Sequence, residues 1–537
     1  SMKNFLPILL IAVFLPDIQN IQAQPLLYKY ENRSLVSFEK YVYDPDSMFH
    51  TSIRPFLITE LDSTFRYTEK LKEFNLQAGS KWKDILFNRN LIIIKGRDFS
   101  LKADPLFDFS SGYDFAQKRS QWINTRGALV EGTLGKNFAF ATSIYETQAR
   151  LPLWITNYVS LRKAVPGQGW FKSFDNGTAL DFTNASGYIS WSPGRYFNFQ
   201  LGHGKNFWGD GYRSLLLSDC SYYYPYFMIT TTFWKIKYVN LWCQFSHPDV
   251  VAYRGTGDAI FAKKYSAMHY LSFVPWNKLN ISVFESVTWN AGDSTFHRGF
   301  DPAYLNPIIF FRPVEFNLGS GDNEMLGMNL RYTPVKGIVL YGQFVIDEFK
   351  IKEMLSSDGW AGNKYAWQAG LKTFDFLGVR NLDMQTEISF IRPYIYSHYT
   401  TIQNWSNARE PLAHPSGANT KEAVAIIKYN RKRLFFNLKY VWEGTGLDTA
   451  GINYGKNIFI SPKTAPQEYG NRIGQGLYTT LNQIDATLSA LINPSTNANI
   501  FISYTFRSEH NAKNDNKYSY FSFGLRTSLR NIYYDFY

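Results

Sequence analysis

Ile484-Asp485-Ala486-Thr487-Leu488-Ser489-Ala490-Leu491-Ile492 is followed by a turn over Asn493–Asn497 and then by Ile500-Phe501-Ile502-Ser503-Tyr504-Thr505-Phe506. Successive side chains of a strand point to opposite faces. Ile484, Ala486, Leu488, Ala490 and Ile492 therefore share one face, opposite Asp485, Thr487 and Ser489. Ile500, Ile502, Tyr504 and Phe506 do the same against Ser503, Thr505 and Arg507. One face suits lipid and the other a wet lumen, whereas a central strand of a soluble core is apolar on both. The pattern recurs upstream. Leu434, Phe436, Leu438, Tyr440 and Trp442 oppose Asn437, Lys439 and Glu443, and Phe521, Phe523 and Leu525 oppose Ser522, Gly524 and Arg526.

From about residue 103 onward, short and long connections alternate. The short ones are Gly135–Asn137, Ser192–Tyr196, Lys237–Asn240, Pro275–Lys278, Thr333–Gly337, Leu377–Asn381, Asn430–Arg433 and Asn493–Asn497, several carrying turn-forming Pro, Gly or Asn. Long polar loops lie between them, near 151–178, 206–225, 247–263, 290–322, 348–363, 394–420, 443–480 and 508–517. With a further loop near 111–120, this rhythm gives nine hairpins and about 18 strands. Short turns on one rim and long loops on the other are the pattern of an outer-membrane barrel. The expected fold is all-β: a transmembrane antiparallel up-and-down barrel over residues 101–537, long loops at the cell surface, N-terminus periplasmic. The chain stops on Tyr537, just after a strand-like run.

Composition agrees. Aromatics make up 18% and charged residues 19%, above and below ordinary usage respectively, as strands with aromatic girdles require. Residues 1–23 read as a secretory signal: Lys3, the short apolar stretch Phe5–Leu15 and the cleavage-like Ile21-Gln22-Ala23. Residues 24–100 lack the period of two and read as a periplasmic extension or plug. Glu69, Lys70, Lys72 and Glu73 near Leu71 and Phe74 suggest a short amphipathic helix there, and Leu91–Ile94 one strand. Net charge is +12, which favours lipopolysaccharide phosphates or acidic polysaccharide as partners. Export and the lack of a basic stripe exclude nucleic acid. Cys220 and Cys243 show no zinc spacing; a free pair is favoured over a disulfide. No cofactor is implied.

Two stretches stand out. Gly202-His203-Gly204-Lys205-Asn206-Phe207-Trp208-Gly209-Asp210-Gly211-Tyr212-Arg213-Ser214 crowds glycine and mixed charge where strand gives way to loop. It reads as a loop folded into the barrel and pinned by hydrogen bonds, or as a sugar contact with Trp208 as platform. Its candidate residues are His203, Lys205, Trp208, Gly209, Asp210, Gly211, Arg213 and Ser214. It is no phosphate loop, because the GxxxxGK[ST] spacing is absent. The second stretch is Asn306-Pro307 through Arg312-Pro313-Val314-Glu315-Phe316, then Asp322-Asn323. So apolar a loop should not dangle in water. It is expected to fold inward, with an Arg312–Glu315 ion pair in the lumen beside Asp322 and Asn323.

Trp208-Gly209-Asp210-Gly211-Tyr212 with Ser214–Ser218, and Asn306-Pro307 with Arg312–Phe316 and Asp322-Asn323, resemble outer-membrane barrels of the capsule-assembly Wzi type. The style is similar to the Bacteroidetes branch, which includes gliding-motility proteins of the RemB type. The resemblance implies a barrel of about 18 strands behind a periplasmic helical region, holding or organising surface polysaccharide without catalysis; only one helix is evident in that region here. No sugar-binding residue carries over.

No enzyme is expected. The histidines are scattered, no G-x-S-x-G stands at a strand–helix turn, and no His/Asp spacing suits a metal. Three roles remain: a glycan-binding barrel, a subunit of a motility or secretion complex, and a porin or transporter. The inward loops predict a narrow or plugged lumen.

Overall fold

The structure, a computed structural model, describes residues 26–28, 33–254, 259–292, 298–308, 310–348, 352 and 358–537. The expected signal peptide lies outside them. Eighteen strands close a single antiparallel barrel. They are β1 Phe99–Asp114, β2 Arg119–Leu134, β3 Phe138–Arg150, β4 Ala179–Trp191, β5 Phe197–Gly204, β6 Tyr224–Phe233, β7 Ile236–Arg254, β8 Ala259–Trp276, β9 Leu279–Asn290, β10 Asn323–Val335, β11 Ile338–Glu348, β12 Lys364–Thr373, β13 Leu382–Ile391, β14 Thr420–Arg431, β15 Leu434–Leu447, β16 Leu477–Asn493, β17 Ala498–Asn511 and β18 Asp515–Arg526. Closure comes from β18 against β1, with Phe521 opposite Tyr113 and Arg526 opposite Asp108. A closed sheet leaves no unpaired edge, the condition for crossing hydrocarbon.

The hairpin quoted at the outset pairs in register: Ile484 opposite Phe506, Leu488 opposite Ile502, Ala490 opposite Ile500. Ile484, Leu488, Ile500 and Ile502 are exposed on the outer wall. Inside, the Thr505 hydroxyl donates to Asp485 at 2.6 Å. Trp191, Phe197, Phe233, Trp234, Trp276 and Tyr332 stand exposed beside the short turns, an aromatic girdle at that rim. One expected turn is misplaced. The chain reverses at Trp234–Lys235, Trp234 having φ 52°, whereas Lys237–Asn240 lies within β7. Lys237 faces the lumen, where its Nζ meets Glu60 at 2.7 Å.

Among its described residues the N-terminal region holds four helices rather than one: α1 Glu39–Val42, α2 Ile58–Phe65, α3 Tyr67–Lys72 and α4 Lys81–Phe87. Arg66, at φ 57°, separates α2 from α3, and α3 lies where the short helix near Glu69–Phe74 is expected. These helices are short and cover the short-turn rim. Arg433 donates to the Phe74 and Phe87 carbonyls, Asn493 to Ile85, and Asn277 to the Asp46 carbonyl. Between α1 and α2 the chain dips into the lumen, where Ile53 and Arg54 pair with Trp208 and Phe207.

The main apolar core lies inside the barrel. Trp208, Leu215, Leu216, Leu217, Trp405 and Leu412 are fully buried against inward residues such as Met268, Tyr270, Phe284 and Met325. Loop residues, not a second sheet, thus provide the partner surface for half of the inner wall. A fifth helix, α5 Leu153–Arg162, packs through Trp154, Ile155 and Val159 beneath the long-loop rim. After β18 the chain does not stop at the wall: residues 527–537 turn back into the lumen, where Asp535 is fully buried.

Candidate functional site

The loop after β5 turns inward at Asn206 and is held by three carboxylates. Asp210 accepts from Thr51 Oγ1 at 2.5 Å, Tyr43 OH at 3.0 Å and Asn329 Nδ2 at 2.9 Å. The Glu387 carboxylate accepts the backbone amides of Tyr212 and Arg213 at 2.8 and 3.1 Å. Glu422 receives a two-pronged contact from Arg213, Nε at 3.1 Å and Nη2 at 2.8 Å, and sits 2.9 Å from His414 Nε2. Arg213 also pairs with Asp535 at 3.1 Å. Burial would push the Asp535 carboxyl up, but Arg213 and Lys439 hold it well below the usual carboxylate range. Paired and hydrogen-bonded, these charges can remain inside the barrel.

The glycines have a steric cause. Gly209 has φ 150°, and a Cβ there would meet Gln343 Nε2 at 2.4 Å. At Gly211 a Cβ would meet Glu387 Oε2 at 2.4 Å. Gln343 in turn donates to the Trp208 carbonyl, and Ser214 Oγ donates to the same oxygen at 2.6 Å. Trp208 is fully buried, its ring 5.1 Å from that of Tyr270. It offers no exposed face to a sugar.

His203 and Lys205 stand apart from this cluster. His203 faces the outside of β5, 3.2 Å from the Ala185 carbonyl. Lys205 Nζ donates to the carbonyls of Gly167 and Asp219 at 2.9 and 3.1 Å. Burial pushes Lys205 down, and it pushes the nearby Glu410 carboxyl up to about 8, against the opposing pull of the Gly167 amide and of Lys205. Cys220 and Cys243 are both buried and unpaired.

The second stretch corrects the expectation of an inward fold. Along β9, Phe284 meets Trp208 in the lumen, so the adjacent Glu285 points outward. Phe311, at the start of the helix α6 Phe311–Leu318, donates its amide to Glu285 Oε1 at 2.9 Å and stacks on outward His269 at 4.0 Å. Arg312 is exposed, 3.7 Å from Glu315 and 2.8 Å from outward Glu324. The expected ion pair forms, but on the outer wall. The physical reason is a polar row on the wrong face of the sheet: Asn240, His269 and Glu285 project outward side by side and are nonetheless buried. The apolar loop covers them instead of the lumen. Asp322 ties this segment to the mouth by accepting from Arg298 at 2.8 Å, Tyr304 at 2.7 Å and Gln403 at 3.3 Å, and Asn323 donates to the Gln403 carbonyl at 2.9 Å.

Sequence reasoning missed Glu387, Glu422, Asp535, His414 and Thr51. Glu387 and Glu422 occupy inward positions of alternating strands, a signal present in the sequence. The others lie on irregular segments that carry none.

The inner wall from β13 through β18 to β2 faces a chamber of about 260 Å³. Asp485, Thr487, Ser489, Ser503, Thr505 and Ser522 form its hydroxyl-rich side. Ser34 and Leu35 border it at the short-turn end, and Trp154 of α5 at the other. Lys439 crosses it, bonding Asp535 at 2.5 Å and Asp485 at 3.3 Å. A polar chamber with a few aromatic walls can take a polyhydroxylated ligand by hydrogen bonding.

No protein-family model matches the chain, and no curated protein matches it. Among solved structures it is similar to Wzi of Escherichia coli, described as an outer-membrane protein involved in group 1 capsule assembly and a carbohydrate-binding β-barrel. The TM-score is 0.55 at 12% identity, over 94% of this chain and 99% of that one. Pseudomonas aeruginosa OprD gives 0.41 at 10% identity, over 82% and 96%. A BenF-like porin from Pseudomonas fluorescens Pf-5 gives 0.43 at 7%, over 80% and 99%. The first of these likenesses is one of fold, an 18-strand barrel like those of outer-membrane proteins.

Proposed function

We propose that this chain is a non-catalytic outer-membrane barrel that binds or organises surface polysaccharide. Residues 24–100 are its periplasmic plug, residues 101–537 the membrane barrel, and the long loops its cell-surface face. The carrying observation is the filled lumen: a continuous apolar core of loop residues built around Trp208 and Trp405 sits where a diffusion channel needs water. That argues for a holding role rather than a porin. The hydroxyl-rich chamber and the carbohydrate binding described for Wzi support a glycan as what is held. Aromatic and basic side chains on the long loops, such as Trp170 with Arg409 at 5.0 Å, suit sugar rings that carry acid groups. The purified barrel should retain capsular or exopolysaccharide from its own cell in a pull-down, less so as salt rises. No retention at any ionic strength overturns the reading. Crosslinking of intact cells to motility or secretion proteins would then favour a complex subunit.

A further inference from the structure

A second cavity, of about 120 Å³, lies across the lumen from the hydroxyl-rich chamber. Tyr188 of β4, Tyr226 of β6, the crossing residue Arg54 and the returning residues 529–531 enclose it. Arg530 is its unusual member. It is only 7% exposed, and its Nε and Nη1 have no hydrogen-bond partner among the described residues. Its guanidinium carbon lies 4.7 Å from the centre of the Tyr145 ring. The Tyr145 hydroxyl is itself held by Tyr223 at 3.1 Å. The carboxylate on the cavity wall, Asp219, does not satisfy Arg530: it accepts from Asn531 at 2.5 Å and Tyr533 at 2.8 Å. Lys205 adds a second cation, with two of its three protons committed to carbonyls. A buried guanidinium with idle donors carries a desolvation cost that an incoming acceptor removes.

We propose that this cavity binds the anionic group of a sugar residue, a ring carboxylate received side-on by Arg530 with the apolar ring face against tyrosine. A planar fork matches a carboxylate in two parallel hydrogen bonds, which a lysine ammonium does not. The cavity has room for the charged end of one sugar residue, not for an oligosaccharide. This inference rests on the glycan-binding reading and names an acid-sugar subsite within it.

The test is calorimetry on the full-length barrel in detergent, with glucuronate, glucose 1-phosphate and glucose as probes. Glucuronate should bind at least tenfold more tightly than glucose. Arg530→Gln should abolish that preference, and Arg530→Lys should retain part of it; heat-modifiable migration on gels verifies that each variant is folded. Equal binding of glucose and glucuronate by the wild type overturns the proposal without any variant. So does an unchanged preference in Arg530→Gln. Tighter binding of glucose 1-phosphate overturns the carboxylate assignment in favour of a phosphate. Polysaccharide pull-down on the same samples separates the two readings. Polymer retained with no glucuronate preference sinks only the subsite; glucuronate bound with no polymer retained sinks only the polysaccharide role.

Discussion

At the scale of single residues, Asp210 shows most clearly how the lumen is held. Three donors, Tyr43 and Thr51 from the N-terminal segment and Asn329 from β10, converge on one fully buried carboxylate. Asp210→Ala leaves all three without their acceptor, a loss on the order of 3 kcal/mol. The barrel strands do not depend on this carboxylate, so the variant should still form a heat-modifiable barrel, while the inward loop 206–218 becomes open to limited proteolysis. Cleavage no faster than in wild type would show that Asp210 is dispensable. The crowding of Gly209, Asp210, Gly211 and Arg213 was legible in the sequence as a pinned loop. The partners of that loop were not. Thr51 and Asp535 lie on segments without period, and nothing local marks a residue whose role is set by a neighbour more than 150 positions away.

At the scale of elements, the alternation of Ile484–Ile492 with Ile500–Phe506 was sufficient to identify wall strands, because lipid on one side and water on the other imposes a period of two. The segment containing α6 went astray for a related reason. Its apolar residues demanded cover, and the sequence does not say which side of the wall provides it. Only the register of β7, β8 and β9, which sets Asn240, His269 and Glu285 side by side on the outside, makes the outer wall the better place. Phe311→Ala should therefore lower the denaturant midpoint by an amount corresponding to roughly 3 kcal/mol, and leave single-channel conductance unchanged. A rise in conductance in that variant would mean that the segment helps to seal the lumen after all.

At the scale of the molecule, closure of the short-turn end rests on N-terminal groups whose protonation is set by burial. His50, 2.8 Å from Ser272, is pushed down to about 3 by burial, with Lys237 and Arg331 adding to the effect. Burial opposes ionisation of Glu39, but Lys372 beside it brings the carboxyl down to about 2. Both folded values lie below the ordinary ones of 6.5 and 4.5. The released segment therefore takes up protons that the docked segment refuses, and its docking weakens as pH falls, first through 6.5 for His50 and then through 4.5 for Glu39. Glu410 near the long-loop rim has the opposite sign. Its carboxyl is raised to about 8, so its contribution is complete below 4.5 and fades as pH rises through 8. Acid should accordingly free the N-terminal crossing while the Glu410 contact stays intact. Planar-bilayer recordings are expected to be quiet at pH 7, to show intermittent openings near pH 4, and to fall quiet again on neutralisation. Over the same range, protease added on the short-turn side should cut between residues 33 and 65. Large steady currents at pH 7 would show that the crossing does not close the lumen, and silence with protease resistance at pH 4 would show that protonation of His50 and Glu39 does not release it.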